Sequence, residues 1–188
     1  TKPTATVKET KAADPDQSLV ERARTGERQA FEELIRKYQR EIYGLVYRYV
    51  WDPETSADLV QNTFVRVISQ FHQFRGTGRF RTWLYRIASN LAKNHLRDRN
   101  RWRTTTLEHF HMKSDPVGTN RLSLQQDVEQ LRQSLETLPP KQRLTVELRV
   151  YQELPFKEIA EIMECNVGTA KVNFHYALKN LRRRMVSD

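Results

Sequence analysis

The chain has 188 residues, 32 of them Lys or Arg and 23 Asp or Glu, for a formal net charge of +9. That length holds one large domain or two small ones, and the basic balance favours polyanions, whose condensed counterions are released on contact. A single cysteine excludes an intrachain disulfide and a cysteine-rich zinc site; without a membrane-length apolar run or signal-peptide core, a cytoplasmic setting is expected.

Thr1 to Asp14 is polar, rich in Lys and Thr and non-periodic, which predicts a disordered tail over residues 1–15. Asp16 to Thr25 reads as a short helix that Gly26 ends, glycine being the usual left-handed stop. A longer helix follows, with Phe31, Leu34, Ile35, Tyr38, Ile42, Leu45, Val46 and Tyr49 along one side. Asp52-Pro53 is an N-cap followed by proline at the first helical position, and it opens a third helix. The apolar stripe of that helix runs Ala57, Val60, Phe64, Val67, Ile68 and Phe71. The loop Phe74-Arg75-Gly76-Thr77-Gly78-Arg79 interrupts the helices, and a fourth helix extends from about Phe80 to Arg99.

On the fourth helix Phe80, Leu84, Ile87, Ala88 and Leu91 form the core-facing side. At ~100° per residue, Arg86, Asn90, Lys93, Asn94 and Arg97 fall together on one flank. Trp83 stands at its edge, with Arg75, Arg79 and Arg81 in the loop and first turn. Guanidinium groups neutralise phosphates, rings stack on exposed bases, and Asn both donates to and accepts from a base edge. The set therefore suits single-stranded nucleic acid. The plainer reading keeps Phe80 and Trp83 as core residues and the charges as a solvated face.

Residues from Asn100 to Asn120 lack helical periodicity, carry Arg101-Trp102-Arg103, His109, Phe110 and His111, and include Asp115-Pro116 and Gly118. They read as an extended linker. His109 and His111 lack the carboxylate or thiol company of a metal site, so no metal and no cofactor is expected.

The segment Leu138 to Arg184 reads as a helix-turn-helix. Pro139 and Pro140 sit where a helix can begin, and Leu144, Val146 or Glu147, Leu148 and Tyr151 continue it. A short helix follows, with Ile159, Ala160, Ile162 and Met163 apolar, then the turn Glu164-Cys165-Asn166, whose last residue is a good N-cap. Cys165 is most simply a small buried apolar residue. The final helix divides into a buried stripe of Val167, Ala170, Phe174, Ala177, Leu178 and Leu181 and an opposite side of Lys171, Val172, His175, Tyr176, Lys179 and Arg183. Such a helix fits a major groove, its N-terminal residues on base edges and its basic end on phosphates. With no alternating pattern anywhere that argues for strands, the fold class is all-α.

Four motifs in order resemble the extracytoplasmic-function type of alternative sigma factor of bacterial RNA polymerase. They are Ser18-Leu19-Val20 through Gly26 with Ala30-Phe31-Glu32-Glu33-Leu34; Ala57-Asp58-Leu59-Val60-Gln61-Asn62-Thr63-Phe64-Val65-Arg66-Val67; Phe74-Arg75-Gly76 with Phe80-Arg81-Thr82-Trp83-Leu84-Tyr85-Arg86-Ile87-Ala88; and Leu138-Pro139, Glu158-Ile159-Ala160-Glu161 and Val167-Gly168-Thr169-Ala170-Lys171. The resemblance implies two small helical domains joined by the linker: a region-2 bundle over residues 16–100, the linker over 101–120, and a region-4 helix-turn-helix over 121–188. Region 2 would bind the core polymerase clamp through Asp58, Gln61, Asn62 and Val65. It would read and melt the minus-ten element through Arg75, Arg79, Phe80, Arg81, Trp83, Arg86, Asn90, Lys93, Asn94 and Arg97. Region 4 would read the minus-thirty-five duplex through Thr169, Lys171, Val172, His175, Tyr176, Lys179 and Arg183.

The polymerase would supply all bond chemistry, and an anti-sigma protein would be a further partner. Asn62 replaces a usually acidic residue of the family. Val172, Asn173, His175 and Tyr176 stand where small polar residues and arginines are common, and the linker is basic and aromatic where acidic ones are frequent. Two rival readings compete. One is a helix-turn-helix regulator that acts without being a polymerase subunit. The other is a nucleic-acid enzyme, which would need a convergent carboxylate cluster or an activated nucleophile. Glu32, Glu33, Asp58, Glu158 and Glu161 read as solvent-facing and do not converge.

Overall fold

The computed structural model describes residues 14–74, 76, 78–105 and 122–185, and the side chains among them other than those of 100, 102–105, 122–128 and 185. The tail over 1–13, Arg75, and the linker from 106 with its two histidines lie outside the described residues. Among the described residues there are eight α-helices and no strand. They are α1 (Gln17–Arg24), α2 (Arg28–Val50), α3 (Pro53–Gln70), α4 (Phe80–Thr105), α5 (Leu122–Glu136), α6 (Pro140–Val146), α7 (Phe156–Met163) and α8 (Val167–Met185). A 3₁₀ turn (Phe71–Gln73) follows α3, and a π-helical turn (Glu147–Tyr151) extends α6.

Local chemistry sets most of the boundaries. Gly26 adopts φ +90° after α1, a conformation open to glycine without a steric penalty. The Asp52 carboxylate accepts from the Thr55 N–H at 2.8 Å, with Pro53 at the first turn of α3. Asp14 falls in the segment read as a tail, yet its carboxylate accepts from the Phe80 N–H at 2.8 Å and supplies the cap that α4 lacks in its own sequence. Next to it, Asp16 is fully buried and accepts from Lys37 and the Tyr38 hydroxyl, which ties α1 to α2. Burial, and then the Asp16 bond, push the Tyr38 hydroxyl far above its usual range.

Two expectations change here. The buried side of α3 is Ser56, Leu59, Thr63 and Val67, with Val60 and Phe64 partly buried, while Ala57 is exposed and Ile68 is 56% exposed. Ser56 and Thr63 hide in the core because their hydroxyls bond the carbonyls four residues back, Asp52 and Leu59. Second, α4 continues to Thr105, so residues 100–105 are helical rather than extended linker. Arg, Asn and Trp propagate a helix already nucleated, and no Gly or Pro intervenes before Pro116.

The two halves of the chain share one core. Leu34, Tyr38, Ile42, Leu84 and Tyr85 cluster with Leu144, Leu148, Leu154, Ile159 and Ile162. Burying each such side chain contributes about 1.5–3 kcal/mol. A smaller cluster of Leu135, Leu138, Val146 and Ala177 packs α5 and α6 onto α8, and Trp51 from the first half joins it.

Candidate nucleic-acid interface

The loop before α4 closes on an aromatic cluster. Phe80 is 1% exposed, with ring centroids 5.9 Å from Tyr38, 6.1 Å from Phe71, 5.8 Å from Phe74 and 5.9 Å from Trp83. Phe80 is thus a core residue, not a surface for stacking a base; an aromatic at the first turn of a buried helix is captured by its neighbours. Trp83 is partly buried against the same cluster, 5.2 Å from Phe74, and its remaining surface lines a cleft.

That cleft, of about 1000 Å³, separates the start of α4 from the helix-turn-helix. Phe74, Arg79, Trp83 and Arg86 line one wall, and Lys157, Glu161, Glu164 and half-buried Cys165 the other. The cations of the first wall already have protein partners. Arg79 donates to Glu158 at 2.8 Å, and the Thr82 hydroxyl lies 3.3 Å from the same carboxylate. Arg81 donates to the Gln152 carbonyl at 3.2 Å and comes within 3.4 Å of Glu41; Arg86 reaches Glu164 at 4.0 Å. Glu158, read as solvent-facing, is therefore half-buried in an inter-half pair, because α7 packs on α4.

Further along α4, Asn90 and Lys93 are half-buried, and Asn94 and Arg97 are exposed. Burial pulls the Lys93 ammonium down, against the attraction of Glu164. The structure therefore brings Asn90, Lys93, Asn94 and Arg97 onto one accessible face and diverts Arg79, Arg81 and Arg86 toward the second half.

On α8, Glu164 turns the chain at φ 54°, and the Asn166 side chain accepts from the Thr169 N–H at 2.7 Å. Ala170 and Ala177 are fully buried and allow close approach, while Phe174 meets Phe156 edge-on at 5.6 Å. Val167 and Leu178, expected in the buried stripe, are 39% and 44% exposed. The seam follows Ala170, Phe174, Ala177 and Leu181, and Leu178 lies ~100° around the helix from Ala177. The opposite side presents Thr169, Lys171, Val172, His175, Tyr176, Lys179 and Arg183, all exposed, with Tyr176 half accessible and its ring 5.9 Å from His175.

A third face lies on α3. Asp58, Gln61 and Asn62 are exposed beside Val65, which is 64% exposed, and Ile68 adds apolar area that the sequence reading had assigned to the core. The sequence reading gave no role to Arg48, Glu147 and Gln152, which join the halves through the Arg48–Glu147 and Tyr85–Gln152 contacts; a carboxylate among Leu144, Val146 and Leu148 was the available signal. Among the described residues, no group of three or more metal-ligating side chains converges, and no helix is long and apolar enough to cross a membrane.

Comparison with known proteins identifies the family. The family model for Sigma-70 region 2 matches residues 34–102, and that for Sigma-70 region 4 matches residues 128–181. The chain is 36% identical over 168 residues to the RNA polymerase sigma-H factor of Pseudomonas aeruginosa, covering 84% of this chain and 87% of that protein. It is 36% identical over 166 residues to the ECF RNA polymerase sigma-E factor of Escherichia coli K12, covering 83% and 86%. In fold it is similar to CnrH in complex with the cytosolic domain of CnrY, with TM-score 0.73, 18% identity and coverage of 92% and 98%. It is likewise similar to the sigma factor RpoE bound to the anti-sigma factor NepR from Bartonella quintana, with TM-score 0.69, 20% identity and coverage of 84% and 98%. With both family segments matched in order and relatives aligned along most of its length, the chain belongs to the sigma-70 family as an extracytoplasmic-function sigma factor, a subunit that directs bacterial RNA polymerase to promoters.

Proposed function

We propose that the three faces divide the work of initiation. The α8 face reads the minus-thirty-five element as duplex, with Thr169, Lys171, Val172, His175 and Tyr176 toward base edges and Lys179 and Arg183 toward phosphates. The α4 flank of Arg86, Asn90, Lys93, Asn94 and Arg97, with Trp83 at its edge, holds the separated minus-ten strand. Unstacking a base costs a few kcal/mol, which phosphate and amide contacts must recover. Asp58, Gln61, Asn62 and Val65, with Ile68, dock on the polymerase clamp. Residues 16–100 then act as region 2 and residues 121–188 as region 4. The subunit catalyses no bond chemistry and works in the cytoplasm. An anti-sigma protein as a further partner is supported by the similar fold of the sigma factor RpoE in complex with the anti-sigma factor NepR.

The observation that carries this reading is α8, a helix with Ala170 and Ala177 fully buried on one side and Lys171, Val172, His175, Tyr176 and Lys179 exposed on the other. Run-off transcription from genomic fragments with bacterial core polymerase tests it. Initiation at defined start sites should require the chain. Asn90→Ala should weaken open-complex formation with core binding intact, whereas Asp58→Ala should weaken core binding with promoter preference intact. Equal loss of both activities in either variant would remove that residue from its assigned face.

A further inference from the structure

Asp14-Pro15-Asp16 leads into α1, where carboxylates would ordinarily cap the helix that follows. Here both reach other helices. Asp16 holds the N-cap position of α1 but makes no side-chain bond to the first turn of α1. Its carboxylate is fully buried and accepts instead from Lys37 and from the Tyr38 hydroxyl of α2. Asp14 accepts from the Phe80 N–H of α4 with one carboxylate oxygen, at 2.8 Å, and from the Asp16 N–H with the other, at 3.2 Å. The Asp14 carbonyl accepts from the Gln17 N–H at 3.0 Å, which ties the same residue to α1. Pro15 fixes its own φ and restricts the backbone of Asp14 before it, so few conformations of the tripeptide compete with this one.

The start of α4 needs such a partner. First-turn N–H groups have no acceptor within their own helix, and the two residues before Phe80 offer none, since Gly78 has no side chain and the Arg79 side chain carries only donors. The same stretch meets α1 a second time. Gly76, at φ +70°, passes the last turn of α1, where an added Cβ would lie 3.8 Å from an Arg24 terminal nitrogen. Tyr38, held by Asp16, packs its ring 5.9 Å from that of Phe80. The loop therefore enters α4 against α1 and the residues that lead into it. The first turn it enters carries Trp83, at the edge of the α4 flank, whose N–H donates to the Arg79 carbonyl at 3.3 Å.

We propose that Asp14 is a positioning residue for promoter melting. By capping α4 it fixes where the loop becomes helix, and so where Trp83 and the flank behind it meet the separated strand. This rests on the assignment of that flank to the minus-ten strand. Without the cap the Phe80 N–H turns to water and the first turn frays, so the loop and Trp83 must be ordered as the strand arrives. That ordering cost falls on the promoter strand, which needs one geometry of the site. Phosphate contacts made with any sequence escape it. The surface loses discrimination and keeps its charge.

Two measurements test this role, one on the bond and one on its consequence. Amide hydrogen exchange at Phe80 in the free chain should quicken about five-fold in Asp14→Ala, the factor that a lost cap implies. In holoenzyme with bacterial core polymerase, a fluorescent non-template-strand oligodeoxynucleotide from a start site mapped by run-off transcription is compared with its scrambled counterpart. The ratio of the two affinities should fall by about the same factor, with affinity for the scrambled strand and for core polymerase unchanged. Asp14→Asn keeps one acceptor oxygen where two bonds are made. It should fall between the parent and Asp14→Ala in both readouts, and it decides if Asp14→Ala loses far-UV helicity. Exchange at Phe80 that stays at the parent rate overturns the cap. Faster exchange with an unchanged ratio, or equal losses for the two strands, makes Asp14 a stabilising contact only and overturns its positioning role. Failure of the underlying assignment is read separately: strand binding by the holoenzyme would then survive Asn94→Ala and Arg97→Ala, which lie far along α4 from the cap.

Discussion

The α8 face and the α4 flank draw on the same chemistry, cations interleaved with aromatic and amide groups, and the fold presents them in opposite ways. On α8 the exposed side chains project from a helix whose other side is locked by Ala170 and Ala177. On α4 the cations nearest the preceding loop face the second half of the same chain, Arg79 and Arg81 by hydrogen bonds and Arg86 within 4.0 Å of Glu164. Duplex DNA offers a groove of fixed dimensions, so a rigid, protruding helix suits it. A single strand has no fixed shape, and its binding surface can be occupied by protein until the strand exists. The Arg79–Glu158 pair leaves Arg79 40% exposed but Glu158 only 12%, so a phosphate that takes Arg79 must also leave Glu158 a new partner or access to water.

The largest expected way to separate the two faces is Trp83→Ala. Removing this ring from Phe71, Phe74 and Phe80 should lower unfolding free energy by about 3 kcal/mol in denaturant titration and abolish promoter opening. Duplex affinity measured below the unfolding range should stay within about two-fold, because α8 lies outside that cluster. Equal losses on both faces would mean the shared core transmits the damage and the faces are not independent. Asn166→Ala acts on the other side of the comparison. It strips the partner from the Thr169 N–H, costs about 1 kcal/mol, and should reduce duplex affinity while single-strand binding holds. Weaker still, Lys179→Ala should lower duplex binding evenly across sequences and reduce the slope of log affinity against log salt by about 1. A loss confined to one base position would instead mark Lys179 as a base reader.

Much of this contrast was legible in the sequence, and the illegible parts have identifiable causes. The caps at Asp52 and Asn166, the helix order and the exposed side of α8 all follow from residues within one or two turns of each other. Ser56 and Thr63 concealed the true core side of α3, since a hydroxyl that bonds its own helix is indistinguishable in sequence from one facing water. Phe80 carried two meanings, and only its enclosure by Tyr38, Phe71, Phe74 and Trp83 chose between them. The cap on α4 comes from Asp14, 66 residues earlier, and the Arg48–Glu147 pair spans 99 residues. Contacts of such separation leave no periodic trace. That is why the covered state of the α4 flank was invisible and the open state of α8 was not.

The smallest expected effect concerns acid and the helix that links the halves. Glu129 on α5 accepts from Arg132 and Gln133, and the Arg132 bond pulls its carboxyl down to about 2, with burial opposing the shift. Arg132 in turn lies over the Trp51 ring of the first half, 5.9 Å from its centroid. A carboxyl depressed on folding contributes stability above its unfolded pKa and loses it as pH falls through the folded value, here between about 4.5 and about 2. Glu129 is 45% exposed, so solvent screening keeps the contribution within a surface pair's range, about 0–1 kcal/mol. Acidification should therefore change Trp51 fluorescence in this window in the parent chain, and Glu129→Gln should abolish that step while leaving neutral-pH promoter binding by α8 unchanged. The same acid transition in both proteins would assign it to another carboxylate and release α5 from its role as the tie between Trp51 and the helix-turn-helix.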